Sequence, residues 1–177
     1  GKPPQVGDVF RNRDLARTYA ALAADGRAAF YEGRIARTID AYMKRIGGDL
    51  RYEDLASHKG EWVEPLCIDY RGYQVCQLPP NTQGLATLQM LQILSAYDLK
   101  ALGPEHPQTA HLMIEAKRLA FADRARYYAD PAFAALPIRQ LISQSYAAKR
   151  RALIRNDGIL SPIRAGEFAD EAADTTY

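Results

Sequence analysis

Asp69-Tyr-Arg-Gly-Tyr-Gln-Val-Cys-Gln-Leu-Pro-Pro80 is the stretch that decides the fold class. Arg71-Gly72 is a two-residue turn signal set between two runs of strand formers. Val63, Leu66, Ile68 and Tyr70 precede it, and Tyr73, Val75 and Leu78 follow. β-Branched and aromatic side chains suit a pleated, half-buried surface, so Trp62 to Leu78 reads as one antiparallel hairpin. Pro79-Pro80 ends its second strand. With Arg71-Gly72 as the loop, Tyr70 faces Tyr73 and Cys67 faces Cys76. Counted outward from the turn, the cysteines form a non-hydrogen-bonded pair, whose Cα atoms approach to about 4.5 Å. A disulfide is geometrically open to them. The reading adopted is two reduced thiols sharing one face. A metal is disfavoured, because two cysteines with no nearby histidine make too few ligands.

Around the hairpin the pattern is helical. Asn12 or Asp14 can cap a helix carrying Leu15, Tyr19 and Leu22 that ends at Gly26, with a short turn through Phe30 and Tyr31 to Gly33. Ile35, Ile39, Tyr42 or Met43, and Ile46 recur at helical spacing until Gly47-Gly48 stops them. Tyr52-Glu-Asp-Leu55 reads as one more helical turn. Beyond the hairpin, Asn81 or Thr82 can cap a helix from Leu85 to Leu102. Its apolar residues cover most of its circumference, so it is expected to be the most buried element. Pro107 opens a long helix that Asp130-Pro131 closes. On that helix Glu115, Lys117, Arg118, Asp123, Arg124 and Arg126 read as a solvated outer face, with ion pairs Glu115–Arg118 and Asp123–Arg126. A further helix is expected from Ile138 to Ile154. From Asn156 onward, turn residues and Asp, Glu and Ala dominate, which reads as a flexible connector.

Composition bounds the function. At 177 residues the chain can bury a core, and length favours one domain. The formal net charge of +2, from 23 basic and 21 acidic residues, supplies no field for nucleic acid or an anionic membrane, and neither partner is expected. No apolar run has transmembrane length, and Gly1 to Asp8 lacks signal-peptide architecture. The compartment stays open: a periplasmic or secreted parent is one expectation, the cytoplasm another.

Several standard sites are absent from the sequence: G-x-S-x-G, G-x-x-x-x-G-K and G-x-G-x-x-G. His58, His106 and His111 form no H-E-x-x-H. His111 and Glu115, four apart on one helix, read as a local hydrogen-bonded pair, and no metal is expected. Lys149-Arg150-Arg151 is an ordinary basic helix end.

In combination the motifs resemble the large subunit of the gamma-glutamyltranspeptidases. They run in family order: Gly1-Lys-Pro with Gly7-Asp8, Phe30-Tyr-Glu-Gly33, Gly47-Gly48, Glu53-Asp54-Leu55, the hairpin from Asp69 to Pro80 and the helix from Ala116 to Pro131. The chain closes on Asp174-Thr175-Thr176-Tyr177, and in that family a Thr-Thr pair marks the point where the precursor cuts itself. Tyr177 stands where some members have His, Cys67 and Cys76 are not part of the family pattern, and Asn81-Thr-Gln-Gly84 matches some branches better than others.

The resemblance implies an α+β chain, mainly helical with one antiparallel hairpin, forming part of the αββα N-terminal-nucleophile hydrolase fold. Residues 1–155 would be a large-subunit segment, 156–174 the connector, and 175–177 the start of the small subunit. Asp174 and Thr175 would flank the cleavage site, Thr175 would be the catalytic nucleophile, and Thr176 would contact substrate. The parent would transfer a gamma-glutamyl group, from an amide such as glutathione, to water or an amino acid. Its partner would be the small subunit of the same precursor, and no cofactor is implied. The arginine that grips the substrate carboxylate would lie before Gly1 and the oxyanion donors after Tyr177, leaving this stretch inactive alone. Two alternatives remain: an acylase or amidohydrolase on another amide, or a catalytically inert interaction module.

Overall fold

The computed structural model describes residues 3–168. Where length favours one domain, the chain gathers into two compact units, divided between Glu61 and Trp62. The first unit holds three helices, α1 (Arg13–Tyr31), α2 (Arg34–Ile46) and α3 (Tyr52–Ser57). Asn12 caps α1, its Oδ1 accepting the Leu15 N–H at 2.9 Å. Gly26 does not end this helix. It kinks it, at φ 60° and ψ −144°, and the helix resumes to Tyr31. Gly47, at φ 73°, takes the left-handed conformation that closes α2, and the Gly48 N–H returns to the Met43 carbonyl at 2.9 Å.

The second unit opens with the hairpin, β1 (Leu66–Tyr70) and β2 (Tyr73–Gln77), antiparallel and in the register read from the turn: Tyr70 opposite Tyr73, Cys67 opposite Cys76. Arg71 and Gly72 both have positive φ, 52° and 84°, as a type I′ loop requires. The adopted state of the cysteines is corrected. Their Cα atoms lie 4.1 Å apart and the two sulfurs are bonded as a disulfide. A non-hydrogen-bonded cross-strand pair brings the Cβ atoms close enough to join without moving the backbone.

Helix α4 (Gly84–Leu94) packs on both strands and buries Leu85, Leu88, Ile93 and Leu94, as its circumference of apolar residues predicts. It stops eight residues short of Leu102. Ser95 Oγ donates to the Gln92 carbonyl at 2.8 Å, and Asp98 caps a separate short helix, α5 (Leu99–Leu102), by accepting the Ala101 N–H at 3.0 Å. Such local side-chain bonds compete with continued helix. Then come α6 (Pro107–Tyr127), α7 (Ile138–Leu141) and α8 (Gln144–Arg151). The single helix expected over 138–154 is divided because Ser143 accepts the Tyr146 N–H at 3.2 Å and starts α8 afresh. Ile93, Leu94, Leu112, Ala116, Leu119 and Ala147 form one core cluster, and Leu85, Leu141 and Tyr146 another.

Candidate functional site

One face of α6 carries His111, Glu115, Leu119, Asp123 and Tyr127, each four residues from the last. Residues so spaced stack along one side of a helix. Their polar members hold the main chain of residues 155–166, which runs beside α6 without helix or strand structure of its own. His111 Nε2 meets the Arg155 carbonyl at 2.6 Å. Glu115 Oε2 accepts the Leu160 N–H at 3.1 Å, and Arg118 donates to the Leu160 carbonyl at 2.8 Å. Asp123 Oδ1 accepts the Gly166 N–H at 2.8 Å, and the Tyr127 hydroxyl donates to the Gly166 carbonyl at 2.6 Å. The order along the helix matches the order along the segment, so this strap and α6 run the same way. The part of the expected flexible connector that is described is therefore held at several points.

The expected solvated face is corrected by the same contacts. Glu115 and Asp123 are 0% exposed. A buried carboxylate persists only where its charge and lone pairs are met. Glu115 is met by Arg118 and the Leu160 amide. Asp123 pairs not with Arg126 but with Arg150, at 3.2 Å, and also accepts from Gln89 Nε2 at 3.0 Å. Arg150, 4% exposed, donates further to the Leu119 and Arg164 carbonyls at 3.1 and 2.8 Å. Its neighbour Arg151 donates to the Gln92 and Ile93 carbonyls at the end of α4. Two residues of the basic helix end, Arg150 and Arg151, thus turn inward, while Lys149 stays exposed. Tyr128 donates to Gln89 Oε1, completing the network. Burial, with the Asp123 charge second, raises both the Tyr128 and Tyr146 phenols above the ordinary tyrosine range.

Gly166 sits against the ring of Tyr146. A Cβ there would lie 2.1 Å from the Tyr146 hydroxyl oxygen, so no other residue fits this seat without movement. Phe168 closes the strap, its ring centroid 5.2 Å from that of Tyr127 and 4.7 Å from that of Tyr146. Asp174, Thr175 and Thr176 lie outside the described residues. Thr175 is seven residues beyond Phe168 in the chain. His111 and Glu115 do not bond each other as read; each turns to the strap instead. Among the described residues, no three His, Cys, Asp or Glu side chains gather as a metal site.

The family model of gamma-glutamyltranspeptidase matches residues 1–177. The chain belongs to the gamma-glutamyltranspeptidase family. It is 41% identical to an acylase ACY 1 proenzyme of Pseudomonas sp. (strain SE83) over 178 residues, covering 100% of this chain and 32% of that protein. It is 38% identical to a glutathione hydrolase proenzyme of Pseudomonas sp. (strain A14) over 180 residues, covering 100% of this chain and 31% of that protein. The chain thus spans about a third of the length of the curated relatives it matches. Among solved structures, the gamma-glutamyltranspeptidase of Helicobacter pylori aligns with a TM-score of 0.74 at 36% identity, over 90% of this chain and 47% of that one. A cephalosporin acylase of Bacillus halodurans aligns with a TM-score of 0.69 at 40% identity, over 86% of this chain and 28% of that one. These neighbours bear out the fold class: a mainly helical α+β part of the N-terminal-nucleophile hydrolase fold. The relatives are enzymes made as proenzymes, some glutathione hydrolases and some acylases.

Proposed function

We propose that this chain is part of a precursor that cuts itself between Asp174 and Thr175 and then uses Thr175 as the nucleophile of an amide acyl transfer. The observation that carries the reading is the family match through the last residue, which takes in the Asp174-Thr175-Thr176 run. In the first reaction the Thr175 hydroxyl oxygen attacks the Asp174 carbonyl carbon. The peptide C–N bond breaks, the nitrogen takes a proton to become the Thr175 amine, and the Asp174 acyl group passes to Oγ as an ester. Water then opens the ester and leaves the Asp174 carboxylate. An internal threonine hydroxyl has no base of its own, whereas a terminal amine, with an ordinary pKa of about 7.7–8.0, is partly neutral at pH 7. It can take the hydroxyl proton when Thr175 attacks a substrate amide. The departing amine leaves protonated, and water or an amino acid releases the acyl group from the threonine. Donors aimed at the tetrahedral oxyanion would come from the small subunit, and Thr176 would contact the substrate beside the nucleophile. Residues 1–155 are then the large-subunit body and 156–174 the arm that leads to the cut.

The acyl donor we propose is a gamma-glutamyl amide such as glutathione. A second reading, an acylase on another amide, is favoured by the 41% identity to an acylase proenzyme. The two differ in one need: a gamma-glutamyl donor carries an α-carboxylate, which calls for an arginine fork elsewhere in the parent. The full-length protein, offered a chromogenic gamma-glutamyl anilide and an N-acylated cephalosporin in parallel, decides between them. Faster turnover of the anilide is expected, with none in Thr175→Ala. Turnover of the cephalosporin alone would assign the acylase reading.

A further inference from the structure

The strap is held most tightly at one residue. Both backbone groups of Gly166 are engaged, its N–H by Asp123 at 2.8 Å and its carbonyl by Tyr127 at 2.6 Å, while the Tyr146 ring fills the space where a side chain would stand. Arg150 locks the set from behind, bonded to Asp123 at 3.2 Å and to the Arg164 carbonyl at 2.8 Å. Slipping the strap by one residue would bring Ala165 or Glu167 to the seat, and each carries the Cβ that Tyr146 rejects. The register of strap on helix is therefore unique. So is the number of residues between the seat and Thr175.

Resting on the reading of Asp174–Thr175 as the self-cleaved bond, we infer that Asp123, Tyr127 and Arg150 are positioning residues for that cleavage: they clamp Gly166 and fix where the chain to Thr175 begins. Among the described residues, the last one held with the clamp closed is Phe168, seven before Thr175 in the sequence. With the Gly166 seat open, the holds left among the described residues are the Arg164 carbonyl on Arg150 and, before it, Leu160 on Glu115 and Arg118. Opening the seat lets the strap shift, and a misplacement of about 1 Å at the attacking hydroxyl can cost about 100-fold in rate. Clamping of this kind affects a reaction that happens once, before the mature enzyme turns over.

Gly166→Ala lifts the strap from its seat and leaves the Asp123–Arg150 pair intact. Tyr127→Phe removes one hydroxyl and keeps the ring against Phe168. Both are made in the full-length precursor, freshly synthesised in a pulse. Two quantities are read: the first-order rate at which the fragment beginning at Thr175 appears, and the turnover per mature molecule once cleavage is complete. The clamp predicts that Gly166→Ala cuts several-fold to about 100-fold slower, that Tyr127→Phe cuts more slowly by a smaller factor, and that mature turnover stays at the wild-type value in both. Cleavage of Gly166→Ala at the wild-type rate overturns the inference. So does an equal loss in mature turnover, which would make the clamp a general structural support. If Gly166→Ala yields no folded precursor, Tyr127→Phe decides alone, and an unchanged rate rejects the clamp. A wild-type precursor that yields no Thr175 terminus instead removes the reading on which the inference rests.

Discussion

Asp123 lies in the apolar stripe of α6, with Ala116, Leu119 and Ala120 at the preceding helical positions and all of them buried. Its charge is tolerated there because Arg150, Gln89 and the Gly166 amide surround it. Removing one partner of such a pair leaves the other charge buried and unmet. Asp123→Ala is therefore expected to destabilise the second unit by about 3–5 kcal/mol in urea unfolding. Asp123→Leu with Arg150→Met should recover most of that, and equal losses in both proteins would deny that the buried pair is the cause. A second residue-scale effect concerns Tyr128 and Tyr146, whose phenols are raised by burial and by the Asp123 charge. A phenol raised in the folded state holds its proton where the unfolded chain, near pH 10, releases it. The stability it contributes is full below about pH 10 and is lost as pH rises further. The unfolding midpoint should fall above about pH 10, and less steeply in a Tyr128→Phe, Tyr146→Phe protein; identical slopes would contradict the assignment. None of this network was legible as a network. The interleaved Arg118, Arg124 and Arg126 made Glu115 and Asp123 look solvated, and the Gly166 partner of Asp123 lies 43 residues away. The available signal was narrower: Asp123 continues the 116, 119, 120 stripe, so its carboxylate had to face inward.

At the scale of elements, the hairpin was legible to the residue. A two-residue loop fixes the register, and the register fixes which side chains face each other. Sequence could place Cys67 opposite Cys76 but not say whether two facing thiols are joined, since that depends on oxidant as well as distance. The disulfide closes a short loop, with nine residues of sequence separation. For a loop of that size, chain entropy gives about 2–3 kcal/mol of stabilisation. Reduction, or Cys67→Ser with Cys76→Ser, should lower the unfolding free energy by that amount. Ready alkylation of both cysteines without prior reduction would contradict the bond. Helix lengths were less legible than helix positions. The expected helices over 85–102 and 138–154 are each broken where Ser95, Asp98 and Ser143 turn their side chains to nearby backbone. Apolar periodicity continues across such breaks because both pieces pack on the same core.

For the whole molecule, the two units differ in what they bury. Within the first, Ala36 is the one buried residue among those described, while the second holds both hydrophobic clusters. A unit with so little core depends on surfaces beyond itself for stability. Trp62 and Phe133, 104% and 89% exposed, are large apolar surfaces of the second unit that suit burial against further protein. The relatives are about three times as long as this chain. In the sequence the strap on α6 precedes Asp174-Thr175, and the proposed chemistry depends on one bond between those two residues. N-terminal sequencing of the small fragment released by the full-length precursor is the most direct measurement. The account predicts a single new terminus, Thr175, appearing in the wild-type protein, more slowly in Thr175→Ser, and not at all in Thr175→Ala. A terminus at any other residue, or cleavage undiminished in Thr175→Ala, would contradict it.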